Sequence, residues 1–168
     1  MEGSGLKFRV VETAGASLKG QLQRSNPFLS KECGRDKCFK CQTGGKGNCR
    51  TSGVVYTISC VDCETVGKTV MYIGQTARSG FARGKEHLTQ LESRRADDSR
   101  MYGHAEEVHG GVIPSVRMDI VSNYGNDTMS RQIAEAVLIR SSKPEHLLNL
   151  KTEYNMNILP HVNLSNSP

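Results

Sequence analysis

The stretch Val54-Val55-Tyr56-Thr57-Ile58-Ser59 is β-branched and alternating, which predicts a strand over 54–59. Val70 to Ile73 predicts a second strand stopped by Gly74, and the polar residues with Gly67 between the two predict a hairpin. From about Ser79 to Arg95 the period becomes helical, and Arg83 and His87, four apart, share one face. Ser99 reads as the N-cap of a short helix that ends at Gly110-Gly111. Val116, Met118 and Ile120 alternate with Arg117 and Asp119 as a third strand, and residues 123–127 form a turn. A helix over about 128–140 follows, where Met129, Ile133, Ala136 and Val137 keep helical spacing and are expected to pack on the sheet. Glu135 lies off the centre of that stripe, where a lone carboxylate is usually solvated.

The flanks carry weaker patterns. Phe8, Val10 and Val11 suit a short strand, and Ala16 to Gln23 a helical turn or two before Asn26-Pro27. This arm is expected to be extended and ordered by what it touches. Leu147-Leu148-Asn149 and then Met156, Ile158 and Leu159 precede Pro160, after which an Asn- and Ser-rich tail is expected to fray. The expected fold is α+β, a small, mainly antiparallel three-stranded sheet flanked by helices. Its divisions are a basic arm over 1–53, a domain over 54–160 and a tail over 161–168. A length of 168 residues suits one domain of about 100 to 120 residues plus such an appendage. No apolar run is long enough to span a bilayer and no basic-then-apolar leader follows Met1, so a soluble intracellular protein without a membrane partner is expected.

Charge changes this picture. The formal net charge of +5 is concentrated at the front. Residues 1–53 carry ten Lys or Arg against four acids, and residues 54–168 carry twelve against thirteen. A basic arm on a near-neutral domain suits a nucleic-acid partner, because cations release counterions from phosphates; a solvated arm is the plainer alternative.

Six cysteines without an export signal point to metal rather than disulfides. Cys33-x4-Cys38-x2-Cys41-x7-Cys49 lies among residues too polar, Phe39 apart, to build a core. Zinc held by four thiolates would fix such a segment, with glycine-rich spacers letting the chain fold back. The alternative is four unliganded thiols in a loop. The glycines lack the order of a phosphate-binding loop and a preceding strand. Bound zinc would leave the arm at about +4, with Lys37, Lys40, Lys46 and Arg50 around the site to meet phosphates. Cys60-x2-Cys63 and His104-x4-His109 offer a second set with finger-like spacing. Five residues along a continuous helix point the two histidines apart, so unwinding beside Gly110-Gly111 is expected to bring them together. Two alternatives are surface histidines with reduced thiols, or a redox pair. The latter needs a C-x-x-C at a helix start after a strand, whereas a hairpin connection is expected here.

Tyr56, Tyr72, Arg83 and His87, with Val54-Val55-Tyr56 and Tyr72-Ile73-Gly74 as paired motifs, resemble the GIY-YIG nuclease family. The likeness continues to Glu135 and Asn149 and so covers about residues 54–150. The first tripeptide lacks the family's Gly and Ile, though Gly53 lies just before it. The insertion bearing Cys60 and Cys63, with His104 and His109, is similar to the endonuclease of Penelope-like retroelements, which carries Cys-Cys-His-His zinc ligands. The resemblance implies phosphodiester hydrolysis with Mg²⁺ or Mn²⁺ held by Glu135. It implies that Tyr56, alone or with His87, takes the proton from water, and that Arg83 holds the scissile phosphate. Tyr72 would bond a neighbouring group or the water, and Asn149 would position the phosphate region or brace the site. Arg78 joins the expected nucleic-acid contacts. DNA is the implied partner, 5′-phosphate and 3′-hydroxyl ends the products, the nucleus the location, and two structural zinc ions the further cofactors. A reverse transcriptase outside these residues would use the 3′-hydroxyl as a primer. A zinc-stabilised nucleic-acid-binding module without catalysis is the competing class.

Overall fold

The structure, a computed structural model, describes residues 33–95 and 99–149. The expected strand near 8–11, the helical turn over 16–23 and the tail beyond 160 lie outside the described residues. A three-stranded antiparallel sheet forms the centre, in the order β2-β1-β3, with β1 Ser52–Cys60, β2 Met71–Ser79 and β3 Val116–Asn123. Helix α1 (Phe39–Gln42) precedes the sheet, and α2 (Val61–Thr65) and α3 (Gly80–Glu92) follow β1 and β2 respectively. Helix α4 (Arg100–His109) leads to β3, and α5 (Thr128–Ser141) with a 3₁₀ turn over Pro144–His146 completes the order. The α+β class and the antiparallel sheet are as the pattern predicts. Among the described residues no helix is long and apolar enough to cross a membrane.

Strand β1 is buried along most of its length because both faces are covered. Tyr56, Ile58 and Cys60 join Met118, Phe39, Leu91, Met101, Tyr102 and Ala105 in the main core. Val55 joins Ile73 and Ile139 in a second cluster, so α5 packs on the opposite side from α3. Alternation of side chains along the strand separates the two clusters.

Three elements depart from the pattern. Strand β2 does not stop at Gly74 but runs to Ser79. Gly74 pairs with Tyr56, and its missing side chain makes room for the tyrosine ring rather than ending the strand. The connection after β1 is not a plain hairpin: the short helix α2 begins directly after Cys60. On α5 the expected packing stripe is the outer face, with Met129 67% exposed, Ile133 47% and Val137 57%. The inner face instead carries buried Arg131 and Ile139 with Ala134 and Leu138. Arg131 is accommodated because Nε donates to Gln75 Oε1 at 2.6 Å, satisfying a charge that periodicity assigns to solvent.

Both outer strands are covered. Outward N–H groups of β3 at Met118 and Ile120 donate to Thr43 Oγ1 (3.1 Å) and the Lys46 carbonyl (3.0 Å). A side chain on Gly45 would lie 1.7 Å from the Met118 carbonyl oxygen, so only glycine lets the chain approach this closely. On β2, the Asn149 side chain accepts from the Ile73 N–H (2.9 Å) and donates to the Ile73 carbonyl (2.8 Å), while Leu148 N–H donates to the Met71 carbonyl. The four-cysteine segment is therefore built onto the sheet, and Phe39 sits in the main core. Strand β1 begins at Ser52, and Thr43 and Lys46 complete the β3 edge, so a boundary at 53 falls inside β1 and would detach residues that complete the fold.

Candidate active site and metal clusters

Tyr56 points from β1 into the face covered by α3. It is fully buried, and its hydroxyl lies 2.9 Å from Arg83 Nε and 2.7 Å from His87 Nε2. The guanidinium can only donate, so the phenol oxygen accepts from Arg83 and its own proton is left for His87 Nε2. Tyr72 completes the group, its ring centroid 5.6 Å from His87 and 6.5 Å from Tyr56. Gly74 makes this possible: a Cβ there would lie 2.5 Å from Tyr56 Oη. Ser79 caps α3 by accepting from Ala82 N–H and so starts the helix that brings Arg83 and His87 to one face.

Burial dominates the electrostatics. It pushes the Tyr56 phenol above its ordinary range, assisted by Tyr72, with Arg83 acting the other way and Glu135 adding to the rise. Burial and then Arg83 hold the His87 imidazole down at about 3, so it is neutral and its Nε2 lone pair is open to the Tyr56 hydroxyl. Glu135, half-buried on α5, is thus within electrostatic reach of Tyr56. Asn149 holds Ile73, the residue between Tyr72 and Gly74, through both of its backbone groups.

Pattern reading missed Glu86. Its carboxylate takes Arg83 Nη1 at 2.8 Å and Arg78 Nη2 at 2.7 Å, and the two arginines hold it well below the usual carboxylate range, Arg83 foremost. The i, i+3 spacing from Arg83 was the available signal. Arg78 is exposed but ion-paired, and Lys40 is buried, so Lys40 does not stand on the surface beside the cysteines as expected. Lys37, Lys46 and Arg50 are exposed there. Arg50 also donates to the Cys33 carbonyl at 2.7 Å, which ties the two ends of the knuckle together.

Two sets of four side chains each gather their ligand atoms within 4.8 Å of one another: Cys33, Cys38, Cys41 and Cys49, and Cys60, Cys63, His104 and His109. Thiolates at tetrahedral corners, about 2.3 Å from a zinc ion, stand about 3.8 Å apart. Cys41 Sγ lies 3.7 Å from Cys33 Sγ and 3.8 Å from Cys49 Sγ. With a zinc–nitrogen distance of about 2.0–2.1 Å, sulfur and nitrogen corners stand roughly 3.5–3.6 Å apart. The second set has Cys60 Sγ 3.4 Å from His109 Nε2, and Cys63 Sγ 3.4 Å and 3.5 Å from His104 and His109 Nε2. Both sets could hold zinc. Burial pushes the Cys60 thiol up to about 11 in the metal-free protein, and a divalent cation supplies the positive charge that a buried thiolate lacks.

No unwinding is needed to gather the histidines. Helix α4 continues through His109 and ends on left-handed Gly110, with the imidazole centroids 5.0 Å apart. Side chains on a helix lean toward its N-terminus, which carries the His109 ring back over the last turn. The Cys60-x2-Cys63 pair does open a helix after a strand, as the redox alternative requires, but both sulfurs face imidazole nitrogens. That arrangement suits a metal better than a disulfide exchanger. Compared with family models, with characterised proteins and with solved structures, the chain finds no match.

Proposed function

We propose that this chain is a divalent-metal-dependent DNA endonuclease of the GIY-YIG type, most like that of Penelope-like retroelements. The observation that carries the reading is the buried Tyr56 hydroxyl held between Arg83 Nε and His87 Nε2 on a sheet face shared with Tyr72. A structural core tyrosine needs one partner; here a fixed guanidinium and a neutral imidazole meet the same oxygen, with a carboxylate within electrostatic reach.

Tyr56 accepts the proton of the attacking water as its own proton passes to His87 Nε2. Water oxygen bonds to phosphorus and the bond to the 3′ oxygen breaks; that oxygen takes a proton from solvent and His87 gives its proton back to solvent, leaving 5′-phosphate and 3′-hydroxyl ends. Arg83, already aligned by Tyr56 and Glu86, donates to the phosphate as its charge develops. Tyr72 borders the site and orients the water or a neighbouring group, and Asn149 keeps β2 in register beneath it. Glu135 would hold Mg²⁺ or Mn²⁺, whose chemistry is to neutralise charge on the leaving oxygen; a single carboxylate suits an ion that keeps several waters. The two Cys and Cys/His sets hold structural zinc. Lys37, Lys46, Arg50 and Arg78 meet DNA, and the nucleus is the place of action. A reverse transcriptase, outside these residues, would extend the 3′-hydroxyl.

Incubation of the full chain with supercoiled plasmid and Mg²⁺ or Mn²⁺ tests this, with Glu135→Gln as control. The parent nicks or linearises plasmid and the variant does not. A parent that binds DNA but cuts nothing returns the protein to the class of zinc-stabilised binding modules, a reading supported by the exposed cations beside the cysteines.

A further inference from the structure

We infer that the Cys33–Cys38–Cys41–Cys49 knuckle positions helix α3, so that its metal occupancy decides where Arg83 and His87 stand relative to Tyr56. The first N–H groups of a helix have no partners inside it. On α3, Gly80 N–H donates to the Thr51 carbonyl at 3.0 Å and Phe81 N–H to the carbonyl of Cys49, a ligand, at 2.7 Å. The Phe81 side chain packs on the cysteine cluster, under the Arg35 guanidinium at 4.7 Å. One turn on, a Cβ at Gly84 would lie 3.2 Å from Phe39 Cβ and 3.0 Å from Met118 Sδ, so the helix backbone rests against the residue that follows Cys38.

Helix α3 is therefore clamped. The knuckle holds Phe81 and Gly84, and Thr51, which joins the knuckle to β1, holds Gly80, while Arg83 and His87 reach Tyr56. Tyr56 belongs to the central strand, whose backbone is held by β2 and β3 on either side rather than by the knuckle. Residues 33–50 have little apolar area of their own, so a bound ion is what makes this side of the clamp rigid. Without it the first turn of α3 loses its fixed acceptors and the His87–Tyr56 bond loosens. What that shift does to cleavage rests on the nuclease reading; the shift itself does not.

The test uses the ¹⁵N-labelled full chain as wild type, Cys41→Ser and His109→Ala. Zinc content, amide exchange at Gly80 and Phe81 and the imidazole signals of His87 are measured, with Thr57 and Ile58 of β1 as reference amides. Cys41→Ser should lose one zinc, exchange at Gly80 and Phe81 at least tenfold faster and shift the His87 signals. His109→Ala should lose the other zinc and leave all three unchanged. Refilling chelator-stripped wild type with Cd²⁺ should restore the wild-type pattern. Gly84→Ala, which crowds Phe39 with both metal sets intact, should move the His87 signals too, and this keeps the test decisive where Cys41→Ser does not fold. Unchanged α3 and His87 signals in Cys41→Ser, or unchanged His87 signals in Gly84→Ala, would overturn the inference. Equal loss of protection in β1, or a wild type without zinc at the knuckle, would overturn it as well. A protein that follows the expected pattern but does not cut DNA would sink the nuclease reading and leave this one standing.

Discussion

Tyr56 and Cys60 stand four residues apart on one face of β1, each facing an imidazole from a different helix. At Tyr56 the His87 nitrogen meets a phenol, with a guanidinium alongside that repels any cation and favours the neutral ring. At Cys60 the His109 nitrogen meets thiols, with a second imidazole and a second thiol closing a tetrahedron. The same side chain, brought by a helix to the same strand face, meets a phenol in one place and joins a set that could hold a metal in the other. Only the partners differ, and a separation of about 13 Å along the strand keeps the two chemistries apart.

That separation breaks if one cluster cannot be altered without the other. The largest effect is expected from Glu135→Gln. Cleavage should fall by about 10³-fold or more with zinc content unchanged, because the variant removes the charge proposed to hold the catalytic ion and touches neither cysteine set. Cys63 faces both histidines, so Cys63→Ser should lower zinc from about two to about one per chain by elemental analysis. Several kcal/mol of stability should go with it in denaturant unfolding. Gly74→Ala is the mirror case. A methyl 2.5 Å from Tyr56 Oη must displace the phenol, and a displacement near 1 Å costs roughly 10²-fold in rate while both zinc ions stay bound.

Acidity sharpens the contrast further. With its folded value depressed to about 3, His87 should keep neutral-form ¹⁵N signals from pH 8 to pH 5. A midpoint near 6.5 would mean that water reaches the ring. Between 6.5 and 3 the unfolded chain binds the extra proton, so the stability His87 contributes is complete above 6.5 and is lost as pH falls toward 3. The smallest effect belongs to Glu86→Gln. Freeing Arg78 and Arg83 from a partly exposed carboxylate should tighten DNA binding less than tenfold, read by fluorescence anisotropy at low salt.

The sites were legible where chemistry restricts the residue type. Cysteine spacing pointed to the first candidate metal set, and paired Cys and His spacing with the family likeness to the second; Ser79, Ser99 and Gly110 marked helix ends because capping is local. What pattern could not supply was long-range. Nothing within α5 says that buried Arg131 has Gln75 waiting on β2, so the apolar stripe of Met129, Ile133 and Val137 was read as the inner face. Lys40 looks solvent-facing until the knuckle folds onto the sheet. Gly74 reads as a strand end until Tyr56 is seen to need its space. Arg83 and His87 show themselves as a pair four apart on one helix face, whereas Glu135 is singled out by the family likeness alone, since a lone helical carboxylate reads as a solvated side chain.

The covering of both outer strands bears on the protein's behaviour in a crowded solution. An unprotected strand edge recruits strands from other molecules, and a narrow three-stranded sheet offers two. Here Asn149 and Leu148 close one and the glycine-rich end of the cysteine knuckle closes the other. Chelating agents in a purification buffer would then do more than strip zinc. They would uncover the Met118 and Ile120 amides on a β-branched strand, and the expected consequence is self-association through β3, growing with protein concentration and reversed by restoring the metal before aggregates mature.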